Sequence, residues 1–156
     1  MRDPRIVEGG TDAAGRRVAI VAARFNDFIV ASLLKGALAA WHEHGGSAAD
    51  LLIARVPGAF ELPVVARRLA GSGRYDAVIA FGCVIRGDTP HFDYVAGECA
   101  RGLQLANLET GVPVIFGVLT VETVEQAIER AALRAGNKGG EAMETALEMA
   151  SLMAQL

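Results

Sequence analysis

Four short apolar runs, each followed by a segment of helical length, constrain this chain more than any other feature. Arg17-Val-Ala-Ile-Val-Ala-Ala23 is apolar throughout after its first residue, the pattern of a strand covered on both faces. A helix is predicted from Phe28 to about His44, with Asp27 as cap and Gly45-Gly46 as stop. Asp50 to Val56 reads as a second strand, Pro57-Gly58 as a turn, and Glu61 to Ala70 as a helix. Asp76 to Gly82 is a third strand, followed by a loop to Pro90 and a helix over His91 to Glu109. Pro113 to Val118 is a fourth strand, and helices over about Val121 to Leu133 and Gly140 to Leu152 complete the chain. Arg5-Ile-Val-Glu8 is a candidate short edge strand. Strand and helix in this alternation give a parallel sheet with helices on both faces, and ligands of such sheets bind at the carboxyl ends of the strands.

A chain of 156 residues and 16.3 kDa has room for one domain, with residues 1–15 as an N-terminal extension. Hydrophobic residues at 52%, with 18 Gly besides, exceed what a small monomer can bury, which points to interfaces between subunits. The longest stretch without a charged residue or His, Thr110 to Val121, is too short for the ~18 residues of a membrane span. Met1-Arg2-Asp3-Pro4 lacks the apolar segment of a signal peptide, so the cytoplasm is the expected compartment. A net charge of −3 argues against a nucleic-acid partner. Cys83 and Cys99 form no CxxC, and no His/Cys/Asp cluster has metal spacing.

The search for chemistry therefore narrows to the loops that follow the strands. In Gly82-Cys-Val-Ile-Arg-Gly-Asp-Thr-Pro-His91, Pro90 suits the first turn of a helix and Asp88 or Thr89 its cap. Free N–H groups at such a helix start attract anions, and His91 beside them is a candidate for proton transfer. The same residues also fit ordinary capping with a surface His. Phe25, next to Asn26, could stack on a planar ligand or tuck beneath the next helix. Phe60 raises the same question, and Glu61 reads either as a first-turn charge or as an acceptor for a polyol. Phe116 reads as core by position, Arg130 as part of a charged helix face, and Trp41 as helix packing. Ala135 to Gly140 is a Gly-rich turn without the strand or the Lys-Ser/Thr of a phosphate loop.

Taken together, these loops resemble the lumazine synthase family of riboflavin biosynthesis. The resemblance rests on Ala23-Arg-Phe-Asn-Asp-Phe-Ile29, Val56-Pro-Gly-Ala-Phe-Glu-Leu-Pro63, Gly82 to Tyr94, Pro113 to Thr120, Gln126-Ala-Ile-Glu-Arg130 and Ala135-Gly-Asn-Lys-Gly139, in the family's order and spacing. It implies a three-layer α/β/α sandwich with a four-stranded parallel sheet in flavodoxin-like order. It also implies a condensation, without cofactor or metal, of 5-amino-6-(D-ribitylamino)uracil with 3,4-dihydroxy-2-butanone 4-phosphate. The products are 6,7-dimethyl-8-ribityllumazine, phosphate and water, the penultimate step towards riboflavin.

By the same resemblance, Phe25 stacks on the pyrimidine, and Ala59, Phe60 and Glu61 bind the ribityl side. Cys83, Val84 and Ile85 meet the uracil edge mainly by backbone. Asp88 and Thr89 hold the phosphate, and His91 transfers protons. Phe116 and Arg130 enter from a neighbouring subunit, Phe116 near the uracil and Arg130 on the phosphate, with Asn26 and Lys138 alongside. Two residues depart from the pattern: Cys83 stands where many relatives carry Thr, and Asp88 puts a carboxylate beside the phosphate. The implied assembly is a homopentamer, which some members extend to decamers or icosahedral shells, with riboflavin synthase as a further partner. The rival reading is a non-catalytic flavin or lumazine binder or a shell scaffold. A signalling receiver domain is excluded by Arg24-Phe25-Asn26 and Gly82-Cys83 where it needs acidic residues. A flavodoxin-like electron carrier is excluded because its hydroxyl-rich phosphate loop is missing.

Overall fold

The computed structural model describes residues 2–132 and 137–156. Four strands, β1 (Val18–Ala23), β2 (Leu51–Val56), β3 (Ala77–Ile85) and β4 (Val114–Val121), form one parallel sheet in the order β2-β1-β3-β4. Five helices cover it: α1 (Asp27–Glu43), α2 (Leu62–Ala70), α3 (His91–Thr110), α4 (Val124–Ala131) and α5 (Lys138–Gln155). This is the three-layer, flavodoxin-like sandwich expected.

The apolar patterns explain the order. Every residue of β1 and all but the last of β3 are buried, as central strands require. Their side chains alternate. Val18, Ile20, Ala22, Ile79 and Phe81 face α1, α4 and α5, whereas Ala19, Val21, Val78 and Ala80 face α2 and α3. In β2 the successive residues Leu52 and Ile53 are both exposed, so neither face is fully covered and the strand lies at the sheet edge. β4 is the opposite edge, which corrects the reading of Phe116 as core: its side chain is 46% exposed.

Several boundaries differ from expectation for local reasons. The cap of α1 is Asn26, not Asp27, and Asn26 holds φ 58° and ψ 44°, a conformation that Asn tolerates better than most residues. Asp27 opens the helix and pairs with Arg55 at 2.6 Å instead. β3 and β4 pair as far as Ile85 and Val121, so Cys83 to Ile85 belong to a strand rather than to a loop. α4 then begins after a reciprocal cap. The Thr123 hydroxyl accepts from Gln126 N at 3.2 Å, and the Gln126 side chain accepts from Thr123 N at 3.3 Å. Residues 5–8 form no strand. This segment runs beside α5, where Gly10 N donates to Ser151 Oγ at 3.0 Å and Gln155 Nε2 to Glu8 O at 2.9 Å.

The start of α5 is fitted closely to α1. Asn137 caps it, accepting from Gly140 N at 3.0 Å and donating to Ala131 O at 3.0 Å and Ser32 O at 3.4 Å. A Cβ at Gly139 would overlap Leu33 O, so only glycine lets the two backbones approach this far. The Gly-rich turn is thus structural from Asn137 onward; Ala135 and Gly136 lie outside the described residues. Trp41 is fully buried, as its packing role required, with its Nε1–H donating to Ser47 O at 3.0 Å. Among the described residues no helix is long and apolar enough to cross a membrane.

Candidate active site

At the carboxyl edge the hydrogen-bond ladder continues past the ends of β1 and β2. Arg24 N donates to Val56 O at 2.8 Å and Phe25 N to Pro57 O at 3.0 Å. The first two loops are thereby joined side by side. Asn26 Nδ2 donates to Cys83 O at 2.9 Å, which fastens the first loop to β3 as well. Backbone bonds and one amide thus bring two loops and the end of β3 to one place.

Between them lies a cavity of about 720 Å³. Phe25, Ala59, Phe60, Glu61, Cys83, Val84, Ile85, Thr89 and His91 line it, nine of the residues singled out from the sequence. Phe25 is 71% exposed and Phe60 60% exposed, so neither is tucked under a helix. Glu61 closes a short 3-10 turn, Ala59–Glu61, that leads into α2. The cavity also takes in Phe92, Tyr94 and Val95, which the loop analysis missed. A helical wheel begun at His91 would have found two of them, because i+3 and i+4 share its face.

Cys83 contributes differently from the aromatic residues. It is only 3% exposed and packs with the layer formed by α1, α4 and α5. Burial pushes its thiol up to about 11, so the sulfur stays protonated. The Cys83 carbonyl is engaged by Asn26.

The entry to α3 departs from expectation. Its cap is Pro90, and no side chain caps the helix, so neither Asp88 nor Thr89 fills that role. Thr89 Oγ1 accepts from His91 N at 3.4 Å, a long contact within the same turn. His91 is the first helical residue and faces the cavity. Asp88 is exposed and lies outside the cavity lining.

Phe116, Arg130 and Lys138 are brought together, but elsewhere. They line a second cavity of about 530 Å³ along β4, α4 and α5, with Glu141 and Thr145. Arg130 Nη1 donates to Gln126 O at 3.1 Å, and Lys138 Nζ pairs with Glu141 at 3.0 Å. The first cavity has aromatic walls and a His; the second has two cations and an exposed Phe on an open sheet edge.

The family model for 6,7-dimethyl-8-ribityllumazine synthase matches residues 15–154, from just before β1 to the last turn of α5. Fold, loop contents and this match agree, and the chain belongs to the 6,7-dimethyl-8-ribityllumazine synthase family of riboflavin biosynthesis.

Proposed function

We propose that this chain condenses 5-amino-6-(D-ribitylamino)uracil with 3,4-dihydroxy-2-butanone 4-phosphate to 6,7-dimethyl-8-ribityllumazine. The observation that carries this reading is the meeting of Phe25, Glu61 and His91, each from the segment that follows a different strand, on one cavity. Each supplies what one part of the reaction needs. Phe25 offers a face to the flat pyrimidine. Glu61 accepts hydrogen bonds from ribityl hydroxyls. His91 moves protons as the aryl amine adds to the ketone, water leaves, phosphate departs and the second nitrogen closes the ring. Each nitrogen that condenses with a carbonyl releases one water, so two waters and one phosphate balance the product. Val84 and Ile85 border the uracil from the end of β3, and Thr89 receives the phosphate at the start of α3.

The second half of the site comes from a neighbour. Phe116 and Arg130 line a different cavity of the same protomer, and Phe116 on β4 and Val124 and Ile128 on α4 are each exposed. A contact between two unlike faces repeats around a ring when its rotation closes. The homopentamer is the ring we propose, with Phe116 covering the pyrimidine, Arg130 clamping the phosphate and Lys138 close by. The total surface of 8766 Å² supports burial between subunits, since a compact monomer of this mass exposes roughly 7,500 Å².

The deciding test follows lumazine absorbance with both substrates, beside His91→Ala and an enzyme-free blank. General acid–base catalysis contributes about 10²–10⁴-fold, and positioning by the rest of the site remains in the variant. His91→Ala should therefore slow turnover within that range and stay above the blank. Wild-type protein that binds lumazine tightly but forms none would instead identify a non-catalytic binder.

A further inference from the structure

Arg86 has no part in the roles assigned above, yet it joins three segments around the entry to α3. Its backbone N–H donates to Val121 O at 2.9 Å, which continues the β3–β4 ladder by one residue. Its guanidinium holds Glu122, Nε to Oε2 at 2.8 Å, and Asp93, Nη2 to Oδ1 at 3.3 Å. The same group lies over the Phe92 ring, 4.3 Å from the centroid. Phe92 itself lines the first cavity.

Asp93 sits in the first turn of α3, and Glu122 opens the turn before α4. A carboxylate in a first helical turn is drawn to the free N–H groups there, and those groups are what a phosphate would use. In this protein no carboxylate is bonded to them: the Asp93 carboxylate goes to Arg86, and the one side chain in contact is Thr89, whose Oγ1 accepts from His91 N at a long 3.4 Å. A guanidinium suits the task better than an ammonium. Its separate N–H edges take one carboxylate each, and its flat face stacks on the ring.

We propose that Arg86 is a positioning residue for the phosphorylated substrate: it holds the Asp93 and Glu122 carboxylates off the N-terminus of α3 and so keeps that end open to phosphate. The inference rests on the reading of the reaction given above. It predicts a selective defect, confined to the phosphate-bearing partner and relieved when the two carboxylates are neutralised.

The test compares wild type, Arg86→Ala and the triple variant Arg86→Ala/Asp93→Asn/Glu122→Gln. Kinetics are measured with each substrate varied in turn, and the substrate-free protein is titrated with inorganic phosphate. Arg86→Ala should raise KM for the ketone phosphate about tenfold and weaken inorganic phosphate by a similar factor. KM for the aminouracil should stay put, and the triple variant should recover most of both losses. Unchanged phosphate affinity in Arg86→Ala overturns the proposal, as does a loss that the triple variant fails to restore. If Arg86→Ala does not fold, Asp93→Asn/Glu122→Gln serves, and a fall in its phosphate affinity overturns the proposal. Wild-type protein that binds phosphate yet turns over neither substrate refutes the reaction, while the phosphate titrations still judge Arg86.

Discussion

Phe25 is held by its neighbours rather than by its own packing. Its N–H is bonded to Pro57 O, the Asn26 beside it is bonded to Cys83 O, and the ring is left exposed. Such a side chain is costly to expose unless a ligand covers it. Phe25→Ala should raise KM for the aminouracil about tenfold, in line with the ~1–3 kcal/mol of a base stacked on an aromatic ring. KM for the ketone phosphate should not move, and equal rises in both would count against stacking. At this scale the sequence was informative where a residue's place follows from chain order. Phe25, Glu61 and His91 each follow a strand, and the cavity gathers them. Phe116 was misread because a strand-interior position says nothing about whether the strand is central or at an edge. Tyr94 lies one turn into α3, where helical period rather than chain order decides which residues face the cavity.

The elements were legible in kind, and their ends were less so. An uninterrupted apolar run marks a strand, but pairing between β3 and β4 carries both beyond the run that announced them. Asp27 looked like a cap because its residue type suits one, but Arg55, from a strand distant in sequence, claims its carboxylate. The seam between α1 and α5 shows what no local pattern reveals, a glycine required by another helix. Gly139→Ala should cost about 1–3 kcal/mol, read from the urea midpoint, because its methyl group would overlap Leu33 O. Gly140→Ala is the matched control. Its Cβ would sit 3.5 Å from Gly36 O, an ordinary contact, and alanine favours a helix by up to ~1 kcal/mol over glycine. Gly140→Ala should therefore be neutral or stabilising, and an equal loss in both variants would refute the close-approach argument.

For the whole molecule, the division of the proposed site between two cavities sets a clear expectation. His91 lines one cavity and Arg130 the other, so in the proposed ring each site would draw them from different protomers. His91→Ala and Arg130→Ala should both be impaired. Unfolding and reassembling them together at equal amounts should restore about a quarter of the sites, those built from two unaltered halves in a heterologous ring. Activity no higher than the parents' average would place both residues in one protomer's site. The apolar excess of the composition hints at such an assembly, and the edge at β4, with Phe116 exposed on it, is a face the composition could not point to.

The fit between α1 and α5 also bears on how the chain is made. Ser32 and Asn137 are bonded across 105 residues of sequence. While the ribosome is still adding residues, the backbone of Leu33 lacks the Gly139 that packs against it in the finished fold. The α5-facing side of α1 must wait until the last helix is delivered. A stalled or prematurely ended chain would present that bare surface to chaperones and proteases, giving the cell a simple mark by which unfinished copies are told from finished ones.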